Sequence, residues 1–224
     1  MKKKYIYLFK RFIYFIYGEK FFKRLNYDWK IHPSRTDIIK KLINYKNYKN
    51  YLEIGCDQDE NFSKIDLLDK IGVDPKSGGT HRMTSDIFFS SNKKKFDFIY
   101  IDGLHTYEQA INDIKNSLNF LNENGIILLH DCLPKKIWNQ IVPRIYGHWN
   151  GDVWKAIVES RTWENTNTIT VIADHGLGLI QKRKNLNILK DEIRDFKKLK
   201  YRDYYEKHTS YMNPVQHQDL IKLI

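Results

Sequence analysis

The stretch FDFIYIDGLH, residues 96–105, is the clearest buried strand in the sequence and decides the fold. Its first six residues are apolar except for one aspartate, and the run ends at Asp102. A short run of this kind is typical of a strand that is covered on both faces, as in a parallel sheet. A helix is predicted next, because Thr106 and Gln109 form a capping pair and the following apolar residues keep helical spacing.

Runs of the same kind flank this stretch. Apolar segments at 51–55, 71–74 and 125–131 alternate with helical patterns, and 168–173 with 177–181 is typical of a closing antiparallel pair. This alternation predicts a doubly wound, Rossmann-like α/β fold with a mostly parallel sheet and an antiparallel closing strand. We further expect a short helix at 62–68, a short strand at 80–84, a brief helix from 86, and helical structure from Pro134 to about Arg161.

Polar residues gather where the predicted strands end. Glu53, Asp74, Asp102 and the pair His130–Asp131 each follow or close an apolar run. In open α/β sheets, ligands bind beyond the carboxyl ends of the strands. The sequence therefore predicts a binding site at this edge of the sheet.

Four motifs in the same order and at matching spacings give the sequence a family resemblance: Tyr51–Gly55, Gly72–Pro75, Phe96–His105 and Gly125–Asp131. Together they resemble class I S-adenosylmethionine-dependent methyltransferases, and most closely small bacterial O-methyltransferases related to the macrocin and catechol O-methyltransferases. The likeness extends over roughly residues 34–181, and its motifs are specific as a set and weak singly.

The resemblance implies S-adenosylmethionine as the cofactor and assigns its contacts. Glu53 and Gly55 would lie near the methionine part, Asp74 would accept hydrogen bonds from the ribose hydroxyls, Ser85 and Asp86 would lie beside adenine, and Asp102 would lie beside the sulfonium and amino groups. A carboxylate suits the last position because both neighbours are cationic. One departure stands at Asp59, where the family usually has a further glycine, so we expect either a reshaped loop or weaker cofactor binding.

Catalysis is expected at Asp102, His105, His130 and Asp131. Methyl transfer to an alcohol or phenol needs alignment and a base, and imidazole titrates nearest neutrality. We predict His105 as the base, whereas a purely structural role for His130 stays open. The resemblance also implies a divalent metal such as Mg²⁺ as an alternative, with Asp102 and Asp131 as its carboxylate ligands. Asp102, His105 and Asp131 together could hold such an ion. Cys132 stands where the catechol-type enzymes have an amide ligand, and a thiol matches Mg²⁺ poorly.

The stretch WNGDVWK, residues 149–155, is similar to the acceptor-pocket segment of relatives. It gives Asp152, Trp154 and Lys155 as candidates for contact with the acceptor, and a helix start with core tryptophans is the alternative interpretation. We expect His175, in the turn DHGLG, to be structural.

These features predict an enzyme that methylates a hydroxyl of a small molecule, a sugar or another metabolite. A non-catalytic binding protein with the same fold is one alternative. A dinucleotide-dependent oxidoreductase is the other, and it is disfavoured because residues 55–60 lack the glycines that bind pyrophosphate. Homo-oligomers are left open. The two cysteines, Cys56 and Cys132, give no disulfide framework, so we expect a reducing, cytoplasmic location.

The formal net charge of +11 belongs to one end of the chain. Residues 1–50 carry 14 Lys and Arg against three acids, and the remaining 174 residues carry 24 of each sign. A neutral body argues against nucleic acid as a partner. We divide the chain into a basic, aromatic helical extension (1–33), a methyltransferase-like domain (34–183) and a charged, solvent-facing helical extension (184–224).

The first 33 residues interleave aromatic side chains with Lys and Arg. Lys10 and Arg11 interrupt the apolar run, so neither a signal peptide nor a membrane span is expected. Contact with an anionic membrane surface is one interpretation. We prefer a helix that packs its aromatic face on the body or on a second subunit.

Overall fold

A seven-stranded sheet lies at the centre of the computed structural model, which describes residues 2–19, 25–145 and 147–224. The strands are Asn50–Ile54 (β1), Asp69–Val73 (β2), Phe96–Ile101 (β3), Leu121–Leu129 (β4), Asn167–Ile172 (β5), Leu177–Gln181 (β6) and Pro214–Gln216 (β7). The helices are Lys2–Tyr14 (α1), Arg35–Lys46 (α2), Ser85–Ser91 (α3), Tyr107–Phe120 (α4), Ile137–Gln140 (α5), Trp154–Ser160 (α6), Tyr201–Glu206 (α7), His208–Met212 (α8) and Leu220–Leu223 (α9).

The strand order, β2-β1-β3-β4-β6-β5-β7, confirms the predicted Rossmann-like fold. β1 pairs in parallel with β2 and β3, β3 pairs in parallel with β4, and β6 runs antiparallel to β4 and β5. The chain leaves β1 toward β2 and then returns to the other side at β3, which makes a switch point between β1 and β3. Because Ile54 is level with Ile101, and Ile101 with Leu129, the residues that follow these strands meet at one edge.

Alternation along β3 explains the two covered faces of the sheet. Phe98 and Tyr100 point to the face that α2 covers, and Ile99 and Ile101 point to the face that α4 and α6 cover. All four side chains are buried, which accounts for the nearly uninterrupted apolar strand. The predicted caps also form: Ser34 and Asp37 make a capping box on α2, and the Thr106 hydroxyl accepts from Gln109 N–H at the start of α4.

Three local predictions are wrong. Residues 80–84 make a single bridge between Val73 and His81 instead of a strand, and the helix expected at 62–68 is one 3₁₀ turn, Phe62–Lys64. The helical region expected from Pro134 to Arg161 is α5 and α6, separated by an irregular segment. We call residues 141–153 the acceptor loop, after the prediction that this stretch lies against an acceptor. Its glycines at 147 and 151 have positive φ, which no continuous helix accommodates.

The C-terminal segment is only partly helical and is not solvent-facing throughout. β7 pairs in parallel with β5 and extends the sheet, and Tyr204, Met212 and Leu220 are buried. Aromatic residues at 201, 204, 208 and 211 recur at helical spacing among the charges, so one face of α7 and α8 packs on α6.

Part of the N-terminal aromatic face that was expected to pack on the body or on a second subunit does not contact the body, and residues 20–24 of this extension lie outside the described residues. Packing on a second subunit stays a prediction. Tyr5, Leu8, Phe9 and Phe12 are exposed. Across the described ranges, none of the helices combines the length and apolar character needed to cross a membrane.

Candidate active site

A cavity of about 380 Å³ opens at the carboxyl ends of β1, β2 and β3. Its lining includes five of the six predicted cofactor residues: Gly55, Asp74, Ser85, Asp86 and Asp102. The sixth, Glu53, lines an adjoining cavity of about 220 Å³ together with Arg35, Asp102 and His105. The structure therefore brings all six predicted positions to one continuous edge.

Gly55 is required by the fold itself. Its φ is +86°, and a Cβ at this position would lie 2.2 Å from the carbonyl oxygen of Asp102. The backbone N–H of Asp102 donates to Ile54 O at 2.8 Å, which holds the two strand ends at this spacing. The glycine thus lets the loops after β1 and β3 pack together at the floor of the cavity.

The loop after β1 is reshaped, which is one of the two outcomes expected from an aspartate at position 59, where the family usually has glycine. Asp57 and Asp59 have left-handed φ values of 46° and 62°, a region that glycine normally occupies. Asp59 Oδ1 accepts from the backbone N–H of Gly79 at 2.7 Å, and Asp57 N–H donates to Asp74 Oδ2 at 3.0 Å. Side-chain and backbone hydrogen bonds therefore hold a turn that a glycine would otherwise make.

Asp74 is prepared as an ionised acceptor. The backbone N–H groups of Lys76 and Ser77 donate to Oδ1 at 2.7 and 3.0 Å, and Asp57 donates to Oδ2. Burial opposes the charge, but these donors and Arg82 outweigh it, so the pKa of Asp74 is lowered. Since a carboxylate offers about four acceptor positions, Asp74 keeps capacity for a hydroxyl of a bound ligand.

Two polar residues at the far end of the cavity were missed in the sequence. Gln109 Nε2 donates to Ser85 Oγ, Asp86 Oδ1 and Asp113 Oδ1 at 3.2, 3.3 and 3.0 Å. Asp113 is buried, and burial raises its pKa to about 6. The sequence does contain a signal for Asp113, because this acid interrupts the apolar face of α4. A buried acid at such a position needs a polar partner.

Glu53 is buried below the junction of the two cavities. Its Oε2 accepts from Tyr51 Oη at 2.5 Å and from Asn61 Nδ2 at 2.8 Å. Desolvation by burial outweighs both donors and raises the pKa of Glu53 to about 7. The side chain is therefore close to its titration point at neutral pH.

We expect Glu53 to make folding stability depend on pH. The pKa of Glu53 in the folded protein lies above its ordinary value of 4.5. The stability that the protonated Glu53 contributes is therefore complete below pH 4.5 and is lost as pH rises through about 7. In alkaline solution Glu53→Gln should be more stable than the parent protein by up to about 3 kcal/mol, with little difference near pH 5. Urea denaturation across this range measures the difference. Glu123→Gln, at an exposed glutamate, serves as the control. If the stability of the parent protein and that of Glu53→Gln depend equally on pH, the raised pKa of Glu53 is contradicted.

The four predicted catalytic residues form one cluster. His105 Nε2 and His130 Nδ1 each lie 3.2 Å from Asp102 Oδ1, and His105 Nδ1 lies 3.2 Å from Asp131 Oδ2. Burial opposes ionisation of Asp102, but the two histidines outweigh it and lower its pKa well below the usual range. Desolvation dominates at Asp131 and raises its pKa.

The surroundings of His105 favour its protonated form. Nδ1 lies 3.1 Å from the carbonyl oxygen of Trp149 as well as near Asp131, so both ring nitrogens have acceptors. Burial disfavours the charge, but the hydrogen bond to Asp102 and the charge of Asp131 outweigh it and raise the pKa of His105. His105 can act as a base only in its neutral form, which these neighbours disfavour.

Two further residues of the cluster were not predicted. Asp174, in the turn between β5 and β6, places Oδ1 3.5 Å from His130 Nε2 and accepts from Arg35 N–H at 2.7 Å through Oδ2. Arg35 Nε lies 4.0 Å from Asp102 Oδ2. Burial opposes the charge on His130, but Asp102 and Asp131 raise its pKa well above the ordinary value. Long sequence separation hides these contacts, since Arg35 and Asp174 are 139 positions apart.

Asp131 joins this cluster to a second group. Asn150 Nδ2 donates to Asp131 Oδ1 at 2.8 Å, and His148 Nε2 lies 3.8 Å from the same oxygen. His148 stacks on His175 with ring centroids 3.9 Å apart. Two sets of three ligand atoms lie within 4.8 Å of one another, Asp102–His105–Asp131 and Asp131–His148–His175, so either set could hold a metal ion.

The three predicted acceptor contacts are placed elsewhere. Trp154 is fully buried against Tyr204. Asp152 accepts from Tyr107 N–H at 2.7 Å and from Lys155 Nζ at 3.0 Å, and Lys155 also donates to a backbone carbonyl. The alternative interpretation, a helix start with a core tryptophan, describes this segment. From the acceptor loop, His148 and Trp149 reach the cluster instead, and Trp149 stacks on His105 at 5.4 Å.

Comparisons with known proteins agree with the fold. Residues 48–132, which contain β1 through the end of β4, match the model of a family described as "Methyltransferase domain". No curated protein sequence matches the chain significantly.

Solved structures show the same fold at low sequence identity. The SAH-bound methyltransferase PaMTH1 from Podospora anserina is 15% identical with a TM-score of 0.53, over 67% of this chain and 78% of that one. A putative O-methyltransferase from Klebsiella pneumoniae is 12% identical with a TM-score of 0.52, over 68% and 84%. The cofactor-bound protein Rv0187 from MTB is 12% identical with a TM-score of 0.53, over 80% and 90%. The chain therefore has the Rossmann-like fold of solved methyltransferases, and its segment 48–132 matches a methyltransferase family model.

Proposed function

We propose that the protein transfers a methyl group from S-adenosylmethionine to a hydroxyl of a small molecule. The observation that carries this proposal is the cavity that has Asp74 at one side and Asp102 at its inner end. Asp74 offers an acceptor for a ribose hydroxyl, and Ser85, Asp86 and Gln109 offer polar contacts to a purine base. Asp102 and Glu53 face the end where the cationic sulfonium and ammonium would lie.

The bound cofactor supplies a methyl group on sulfur with a good leaving group already attached. The chain has two tasks beside it, alignment of the acceptor and removal of its proton. Asp102 stabilises positive charge at the inner end of the cavity. His105 and Asp131 lie between that end and the acceptor loop, where a hydroxyl proton can be received once His105 has given up its own.

A divalent ion is the alternative means of acidifying the hydroxyl. Each candidate set contains imidazole, which suits zinc, iron or nickel better than magnesium. Cys132 is buried with its thiol directed at Leu129 O and His130 O, so it takes no part in either set. A cation at Asp102–His105–Asp131 would compete with protonation of His105, because a metal ligand must be the neutral imidazole.

The non-catalytic alternative and the oxidoreductase alternative are separable by ligand binding. Asp57 and Asp59 occupy the loop where a dinucleotide pyrophosphate would approach, and their charges oppose it. The proposed function predicts binding of S-adenosylhomocysteine and none of NADH, and calorimetry with both ligands tests this. Binding of neither would favour the non-catalytic protein.

Removing Asp74 should weaken cofactor binding. Asp74→Ala deletes an ionised acceptor for the ribose, and a hydrogen bond to a charged group contributes about 1.5–3 kcal/mol, so S-adenosylhomocysteine should bind about ten-fold to a hundred-fold more weakly. Calorimetry measures this, with thermal unfolding to check the fold and the exposed Glu123→Ala as control. Unchanged affinity in Asp74→Ala would remove Asp74 from the cofactor site and leave the remaining assignments to be tested separately.

A further inference from the structure

An apolar stripe on α1 faces away from the protein. Tyr5, Leu8, Phe9 and Phe12 are spaced at i, i+3, i+4 and i+7, so they lie on one side of the helix. Their exposed fractions are 67%, 51%, 66% and 60%. A helix in a globular protein normally turns such a stripe inward, and a contiguous exposed patch of large apolar side chains marks an interaction surface.

The opposite side of α1 is the side that holds it to the body. Arg11 lies over the ring of Trp138 at 4.9 Å from its centroid, and α1 packs on α5. Asn139 of α5 in turn accepts from the N–H groups of Asn150 and Gly151 in the acceptor loop. The helix is therefore fixed on the same side of the molecule as the acceptor loop, with its stripe outward.

The segment of sequence that contains the stripe is strongly basic. Residues 1–24 contain eight Lys and Arg and a single acid, Glu19. Lys10 is exposed beside Phe9. The chain after residue 50 is neutral overall, and residues 1–24 carry most of the net charge of +11 that residues 1–50 hold.

The positive charge of this segment favours one of two possible binding partners for the stripe. A second copy of this chain would bring the same basic segment against it, and like charges would repel. An anionic lipid surface accepts both features, because aromatic and aliphatic side chains enter the boundary between headgroups and acyl chains while lysines pair with lipid phosphates. We propose that α1 binds the surface of an anionic membrane through Tyr5, Leu8, Phe9 and Phe12, and anchors the protein with its acceptor loop on the side of the lipid.

Binding to vesicles tests this surface. The full-length protein should co-sediment with vesicles that contain phosphatidylglycerol and much less with vesicles of phosphatidylcholine alone, and added salt should weaken binding. Phe9→Ser/Phe12→Ser should lower the partition coefficient at least about tenfold, since two aromatic side chains no longer leave water. Substitution of Lys2, Lys3, Lys4 and Lys10 by Gln should lower binding to anionic vesicles and reduce its salt dependence.

The matched control removes exposed apolar residues elsewhere. Leu68 and Leu186 are both exposed and lie outside α1, so Leu68→Ser/Leu186→Ser should bind vesicles like the parent protein. Thermal unfolding and binding of S-adenosylhomocysteine should be unchanged in the α1 variants, which separates this proposal from the proposed activity. Equal vesicle binding by parent and Phe9→Ser/Phe12→Ser would overturn it. So would a dimer in sedimentation equilibrium that dissociates in that variant, because the stripe would then bind a second copy.

Discussion

His105→Ala is expected to lower turnover by about a hundredfold or more while leaving the binding of S-adenosylhomocysteine intact. His105 bridges Asp102 and Asp131, at 3.2 Å from each, and sits between the cofactor cavity and the acceptor loop. As a base it would receive the hydroxyl proton, and as a metal ligand it would hold the ion that acidifies the hydroxyl. In either role, the loss of His105 should slow the chemical step and leave cofactor binding unchanged.

Turnover with and without chelator separates the two roles. A metal-free base mechanism predicts unchanged parent activity in chelator, whereas the metal mechanism predicts loss and recovery with added zinc or manganese. Asp102→Asn is the companion variant, because it keeps the shape and removes the charge, and it should weaken cofactor binding as well as turnover. His217→Ala, a histidine outside the cluster, serves as control. Full activity of His105→Ala would move the base to His130 or Asp131.

The parts of the fold that could be predicted depend on local pattern. β3 and its neighbours are covered on both faces, so their apolar runs are visible in the sequence, and the caps at Ser34 and Thr106 need only residues three positions apart. The carboxyl ends of parallel strands then bring Asp74, Asp102 and Asp131 to one edge without further information. For the same reason, five of the six predicted cofactor residues line one cavity.

What could not be predicted depends on contacts between distant segments. Arg35 and Asp174 enter the cluster from the start of α2 and from the turn before β6, and neither position has a distinctive local pattern. The prediction of acceptor contacts at Asp152, Trp154 and Lys155 failed for a different reason. Asp152 and Lys155 form an ion pair with each other, and Trp154 is buried in the core. The contribution of the acceptor loop to the cluster comes from His148 and Trp149, which the path of an irregular loop places there.

That path depends on Gly151, and Gly151→Ala is expected to lower turnover about a hundredfold and to destabilise the fold. A Cβ on Gly151 would lie 1.7 Å from the carbonyl oxygen of His105, so the acceptor loop and the His105 loop cannot both keep their positions. Displacement of a reacting group by about 1 Å costs about a hundredfold in rate. The shift would also disturb the contact between His105 Nδ1 and Trp149 O, which is 3.1 Å in the parent protein.

Gly147 in the same loop supplies the matched control. Its φ of +66° nearly equals the +65° of Gly151, but a Cβ on Gly147 would meet none of the described residues within 4 Å. Gly147→Ala therefore carries the cost of a left-handed alanine, about 1–2 kcal/mol, without the clash. Turnover and urea denaturation of both variants separate backbone strain from displacement of His105. If Gly151→Ala loses no more activity than Gly147→Ala, the close approach of the two loops has no part in catalysis, because the strain common to both variants would then account for the whole effect.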